Sequence, residues 1–252
     1  MSAPEMRPQW EGRTLVVTGG GSGIGAAVCL QAATRGAAVV VLDVDAGAAA
    51  RTAAECGPGA VHTQVDVTDP PAMSAAVHQI CTKTGGSVWG LVTSAGIVSP
   101  QPIGTISPDE ARRVLAVNVI GVINSVQAVL PFLSRGSGVV NVSSVAAHSG
   151  GGFFGASTYA ASKAAVIGLT RGVARELAGT GVRVNCVAPG PVDTPMLETA
   201  TPADRSRIEG AALLGALSTP KDIAAAICFL LSDESGSITG ETVNVNGGSY
   251  FG

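Results

Sequence analysis

Short β-branched runs recur along the chain at intervals of about 25 residues, separated by longer alanine-rich segments, and this alternation limits the fold more than any other feature. The runs cover residues 14–18, 38–43, 60–65, 88–93, 138–143, 182–187 and 242–245. The first six are nearly all apolar and do not alternate, the pattern of parallel strands covered on both faces. Between the runs the sequence predicts helices over 23–35, 45–55, 70–84, 107–133 (in one piece or two) and 157–178. After a Pro/Gly-rich stretch a last helix is predicted at about 221–231. Strands alternating with helices imply a doubly wound parallel sheet with right-handed crossovers. No linker, repeat or low-complexity segment divides the chain. The expectation is one α/β domain over residues 1–252, with 1–12 as an N-terminal extension.

Composition removes several function classes. With 46% hydrophobic and 13% charged residues the chain is not a disordered one. Fifteen Lys and Arg stand against eighteen Asp and Glu, a net charge of −3 with no basic run. A protein that binds nucleic acid by neutralising phosphates would look different. The five cysteines are scattered and form no CxxC, which points to free thiols in a reducing compartment. His62, His78 and His148 lie too far apart to suggest a metal site. The first residues, MSAPEMRPQWEGR, hold no apolar segment of the secretory kind. Residues 114–133 have the length of a membrane span, but they include Asn118, Asn124, Ser125, Gln127 and Pro131, so a buried helix is expected. These features predict a cytoplasmic protein with no membrane or nucleic-acid partner.

Glycine is the outlier, at 34 residues, about twice the usual share of roughly 7%. Its densest cluster follows the first strand directly: Thr18-Gly19-Gly20-Gly21-Ser22-Gly23-Ile24-Gly25, leading into the first helix. A glycine turn there lets the main chain approach a pyrophosphate, which then rests on the N–H groups and positive end of the helix. Asp43 ends the second strand, 18 residues after Gly25. A carboxylate at that point can accept from both ribose hydroxyls and would repel a 2′-phosphate, so NAD is expected over NADP. Asp43 could equally be a solvent-facing strand end or a helix cap. Asp66 and Val67, after the third strand, would lie beside an adenine, and Asp66 too could be a turn cap.

The chain has two tyrosines and three lysines, and one pair stands as Tyr159-Ala-Ala-Ser-Lys163. On a helix, positions four apart share a face. A lysine ammonium beside a phenol favours the phenolate and would draw its pKa down from about 10. That would make Tyr159 a general acid or base for a carbonyl/alcohol pair. Two further features bear on the pair. The strand at 138–143 runs into Ser143-Ser144, and ligands bind at strand carboxyl ends in such sheets. Asn118 interrupts an apolar helix and needs a polar partner.

These pieces together resemble the short-chain dehydrogenase/reductase family over essentially the whole chain. The matching motifs are TGGGSGIG at 18–25, Asp66-Val67, SAG at 94–96, NVIG at 118–121, VNVSS at 140–144, YAASK at 159–163, RVNCVAPG at 183–190 and GETVNVNGG at 240–248. The resemblance implies a Rossmann-type sheet of about seven strands in the order 3-2-1-4-5-6-7. It places a catalytic tetrad on Asn118, Ser144, Tyr159 and Lys163. Tyr159 would exchange the proton with the substrate oxygen, Ser144 would hydrogen-bond that oxygen, Lys163 would hold the nicotinamide ribose, and Asn118 would position a relay water. The cofactor would be bound by Gly19, Gly21, Ser22, Gly23, Ile24, Gly25, Asp43, Asp66, Val67, Ser94, Ala95, Gly96, Tyr159 and Lys163. Pro189, Gly190, Val192 and Thr194 would border its nicotinamide.

Two departures from the family pattern matter. Ser94 stands where members commonly carry Asn. Ser144 precedes Tyr159 by 15 residues, two more than is usual, which leaves Ser143 as an alternative although the strand-end register favours Ser144. The longer loop carries Phe153 and Phe154, and substrate contacts are expected from these, Ser144, Tyr159, Met196 and Leu197, within a loop and helix at about 194–218. The expected reaction is NAD-dependent hydride transfer between nicotinamide and a neutral, partly apolar ketone or secondary alcohol. Alternatives are an NADPH-dependent 3-oxoacyl-carrier-protein reductase, an NAD-holding epimerase, or a non-catalytic NAD-binding regulator. The apolar helices at 114–133 and 159–178 predict a homotetramer or homodimer, with no metal.

Overall fold

The computed structural model describes residues 9–83, 86–152, 155–194, 197 and 201–251. Seven strands, β1 (Thr14–Thr18), β2 (Ala38–Asp43), β3 (Val61–Gln64), β4 (Gly90–Thr93), β5 (Gly138–Val142), β6 (Arg183–Pro189) and β7 (Thr242–Val245), form one parallel sheet. Their order is β3-β2-β1-β4-β5-β6-β7. The expected strands are all present, within about two residues at their ends. β3 departs in character: it is the edge strand, and its Val61, His62 and Gln64 are exposed, so the description of six doubly covered strands fails there.

Nine helices are described: α1 (Gly23–Thr34), α2 (Ala46–Cys56), α3 (Pro70–Lys83), α4 (Pro108–Leu115), α5 (Gly121–Val129), α6 (Ala146–Ser149), α7 (Ser157–Glu176), α8 (Pro202–Gly210) and α9 (Pro220–Leu231). Side chains alternate across the sheet. Leu15 and Val17 of β1 join a core with Val28, Ile223, Ile227 and Leu230, beneath α1 and α9. Val16 joins the opposite core with Met73, Val77, Val126 and Val184, beneath α3, α5 and the end of α7. Burial on both faces is what the unbroken apolar runs encode.

The segment predicted at 107–133 is one continuous path in four pieces. α4 passes into a π-helical turn at Ala116–Ile120, then α5, then a 3-10 turn at Leu130–Phe132. A span of Pro108–Phe132 is long and apolar enough to cross a membrane by composition alone, yet half of its most apolar window is buried within the protein. The N-terminal extension is anchored at Trp10, whose main-chain N–H donates to the Arg35 carbonyl at 2.8 Å. Trp10 is fully buried, and its ring centroid lies 4.7 Å from that of Trp89. Nothing in the strand-helix rhythm announces that contact.

Arg183, the first residue of β6, closes the C-terminal end of α9. Nη1 donates to the Leu230 carbonyl (2.6 Å) and Ser235 Oγ (2.8 Å), and Nη2 donates to the carbonyls of Leu231 and Ser232 (3.0 Å each). A cation there meets the negative end of the helix and its unpaired carbonyls. Replacing Arg183 by Ala is expected to cost about 3 kcal/mol, a fall in Tm of roughly 6–12 °C in a domain of this size. An unchanged thermal midpoint would show that the cap contributes nothing.

Candidate active site

The carboxyl ends of β1, β2, β4, β5 and β6 open on one cavity of about 810 Å³. Its floor is the glycine turn. Gly19 and Gly23 have positive φ, 65° and 53°. Gly25 must be bare for a different reason: a Cβ there would stand 2.1 Å from the Gly19 carbonyl oxygen. This close return lets α1 begin against the end of β1. Ser22 is the N-cap of α1 but its side chain makes no capping bond, so the first-turn N–H groups are left to a ligand.

Asp43 reaches back to the same turn. Oδ2 accepts from the Gly21 N–H at 2.8 Å, and Oδ1 accepts from the Asp45 N–H at 3.0 Å. The carboxylate is thereby held at the cavity edge. Asp66 is a turn cap, as its alternative reading allowed: Oδ1 accepts from both the N–H and the hydroxyl of Thr68, each at 2.8 Å. Asp66 and its neighbour Val67 line the cavity nonetheless. Asn124, buried on α5, donates to the Val67 carbonyl at 2.8 Å and so sets that wall. At Ser94 the neighbouring strand is tied by the main chain, whose N–H donates to the Thr18 carbonyl at 3.0 Å.

Ser144 and Tyr159 meet across the cavity. Ser144 stands just before α6, its Oγ accepting from the Ala146 N–H at 3.1 Å, and its hydroxyl lies close enough to the Tyr159 hydroxyl to favour the phenolate. Ser143 is turned the other way: it is buried and its Oγ donates to the Lys163 carbonyl at 2.7 Å. Of the two serines, Ser144 is the one whose side chain acts on the Tyr159 hydroxyl. Lys163 lies behind Tyr159, fully enclosed, with Nζ donating to the Val142 carbonyl at 2.9 Å. Loss of hydration pulls this ammonium down to about 8.

The expectation that Lys163 draws the Tyr159 pKa down is not met in this arrangement. Nζ stands 5.9 Å from the ring centroid and its hydrogen bond goes to β5. Burial pushes the phenol above its ordinary value, and the bond with Ser144 works against that shift. Asn118 has a structural part in the same region. It sits fully buried on the π turn, accepts from the Ile97 N–H at 2.8 Å, and donates to the Ile97 carbonyl (2.9 Å) and Ser162 Oγ (3.0 Å). Ser162 in turn donates to the Tyr159 carbonyl at 2.6 Å. The Asn118 side chain is thus a brace between the loop after β4 and α7, with both amide hydrogens donated and one lone pair of Oδ1 in use.

The remaining wall follows β6. Pro189, Gly190, Val192 and Thr194 line the cavity, and Thr194 comes within 3.5 Å of where a Gly23 Cβ would stand. Leu197 is 2% exposed and faces the same space. Phe153, Phe154 and Met196 lie outside the described residues. Two features escaped the sequence: α6, and the stacking of His148 on Tyr250 with centroids 5.2 Å apart, which brings the C-terminal tail to the cavity's far end. Only long-range contact reveals them. Among the described residues no cluster of His, Cys, Asp or Glu could hold a metal.

A family model described as enoyl-(acyl carrier protein) reductase matches residues 19–250. The chain belongs to the short-chain dehydrogenase/reductase family. Relatives within this family include a cis-4-hydroxycyclohexanecarboxylate dehydrogenase of Sinomonas cyclohexanicum, 40% identical over 94% of this chain and 96% of that protein. A (3R)-3-hydroxyacyl-CoA dehydrogenase of Canis lupus familiaris is 39% identical, covering 94% and 95%. A 3-oxoacyl-[acyl-carrier-protein] reductase of Thermotoga maritima is 37% identical, covering 94% and 98%. Among solved structures, a short-chain dehydrogenase/reductase described as glucose/ribitol dehydrogenase from Brucella melitensis superposes with TM-score 0.92, at 32% identity, over 98% of this chain and all of that one. The protein is accordingly an oxidoreductase of hydroxyl and oxo groups that uses a nicotinamide cofactor and a small-molecule substrate.

The buried ammonium has a measurable consequence. Between pH 8 and 10.5 the unfolded chain keeps the Lys163 proton while the folded protein releases it, so stability from this group rises with pH across that window. The Tm of the wild type minus that of Lys163→Met should therefore increase from pH 8 to 10.5. A difference that stays flat would mean the ammonium is not desolvated.

Proposed function

We propose that the protein is an NAD-dependent dehydrogenase/reductase acting on a neutral, partly apolar secondary alcohol or ketone, with Tyr159 as the general acid/base. The observation that carries the cofactor choice is Asp43, a carboxylate fastened by Gly21 at the edge of the cavity. It can accept from the 2′- and 3′-hydroxyls of an adenosine ribose and would repel a phosphate there. The exposed neighbours Val44 and Asp45 supply no cation to offset that repulsion. The glycine turn and the uncapped start of α1 suit a pyrophosphate, and Ser94 to Gly96, Pro189, Gly190, Val192 and Thr194 suit the nicotinamide end. A bound nicotinamide ring supplies the hydride acceptor or donor.

The chain's own work is orientation and proton transfer. Ser144 donates to the substrate oxygen and holds it beside the Tyr159 hydroxyl. Tyr159 gives its proton to that oxygen on reduction and takes one back on oxidation. Lys163, on the cavity wall, suits the nicotinamide ribose, while Asn118 and Ser162 keep α7 in register. Leu197, Ala211 and Ala146 offer an apolar wall suited to a ring or alkyl substrate. The relative acting on cis-4-hydroxycyclohexanecarboxylate supports a cyclic alcohol.

A second reading, a 3-oxoacyl-carrier-protein reductase using NADPH, is favoured by the relatives that act on 3-oxoacyl and 3-hydroxyacyl thioesters. Asp43 weighs against its cofactor. Assembly through the segments 114–133 and 159–178, as tetramer or dimer, and a cytoplasmic setting without membrane or nucleic-acid partners belong to the same proposal. Leu115, Ile120 and Leu130, exposed along the first of those segments, support the assembly, and five unpaired cysteines support the compartment.

Replacing Tyr159 by Phe should lower kcat by about a thousandfold with NAD affinity intact, and undiminished turnover would defeat the acid/base assignment. Replacing Asp43 by Ser should bring kcat/KM with NADP up toward that with NAD. An unaltered cofactor ratio would remove the argument from Asp43.

A further inference from the structure

The loop between α6 and α7 holds the two residues by which this chain exceeds the usual Ser–Tyr spacing. Near its end, Gly155 lies against the face of the Tyr159 ring. A Cβ on Gly155 would stand 2.1 Å from Cδ1, 2.7 Å from Cγ and 2.9 Å from Cε1. Real side chains do not pack that closely. Gly155 is absent from the glycines with positive φ, so space and not backbone conformation demands glycine here. Gly155 cannot easily retreat. The Gly152 N–H donates to the Gly155 carbonyl and the Ala156 N–H donates to the Ser99 carbonyl, both at 3.0 Å. Within α7, Ser162 holds the Tyr159 main-chain carbonyl and Asn118 holds Ser162.

We infer that Gly155 is a positioning residue whose bare Cα seats the Tyr159 ring at the depth where its hydroxyl meets Ser144. Gly155 and the acid/base then form one mechanical unit, so displacing Gly155 displaces the phenol. This inference rests on Tyr159 being the acid/base of the proposed reaction, but its test does not need turnover. The chain has only two tyrosines, so in a Tyr250→Phe background the ultraviolet ionisation of tyrosine reports Tyr159 alone.

In that background Gly155→Ala should push the ring toward water and lower its ionisation midpoint toward that of a free phenol. It should also reduce kcat by about 100-fold, the scale of an ångström misplacement, with dinucleotide affinity unchanged. Gly152→Ala is the control: its methyl meets nothing within 4 Å, and the midpoint should stay in place. An unshifted midpoint in Gly155→Ala, or an equal shift in Gly152→Ala, overturns the inference. If Gly155→Ala does not fold, the same contact is read from thermal melting in a Tyr159→Ala background. Recovery of the lost stability there supports the inference, and an undiminished loss overturns it. Should Tyr159→Phe retain turnover, the acid/base reading falls, while the titration and melting results still decide whether Gly155 seats the ring.

Discussion

The site depends on how closely α1 approaches the end of β1. Gly25 returns so near to Gly19 that no side chain fits between them, and Gly19 itself presses on the main chain at Ala95, where a Cβ would come within 2.5 Å. Three segments that are far apart in sequence are drawn together by these two bare positions: the start of α1, the end of β1 and the loop after β4. The open N–H groups of α1 then face the same cavity as Asp43 and Lys163. A methyl at Gly25 would open this junction and move the helix start away from the strand ends that carry the chemistry.

On the far side of the cavity the decisive contacts run between β5 and α7. Ser143 Oγ donates to the Lys163 carbonyl, and Lys163 Nζ donates to the Val142 carbonyl. These two bonds fasten the helix to the strand and enclose an ammonium that burial makes easier to deprotonate. They also hold the ammonium that was expected to lower the phenol 5.9 Å from its ring centroid. Tyr159 is governed instead by its depth, by Ser144 in front and by Gly155 behind. The protonation of this phenol is therefore set by packing as much as by charge.

The strand-helix rhythm revealed the sheet and most helix limits because burial on both faces leaves an unbroken apolar run. The edge strand β3 was misjudged because that rule ceases to apply where one side meets water. Spacing revealed Tyr159 with Lys163, and Asp43 with the glycine turn, since each pair depends on local geometry. Other features were illegible because they depend on tertiary contact. The bracing of Ile97 and Ser162 by the Asn118 side chain is one of these. Arg183, Trp10 and the His148–Tyr250 stack join segments whose proximity only the folded chain creates.

The central claim is that this cavity holds NAD beside a secondary alcohol or ketone. The most direct test follows the absorbance of reduced nicotinamide while the purified protein meets NAD and then NADP, across cyclic, aryl-alkyl, steroid and sugar alcohols. The account predicts turnover with NAD, greatest for cyclic or otherwise apolar alcohols, and little with NADP. Turnover confined to NADP, or faster with sugars than with any apolar alcohol, would contradict it. Tight NAD binding with no turnover of any alcohol would also contradict it.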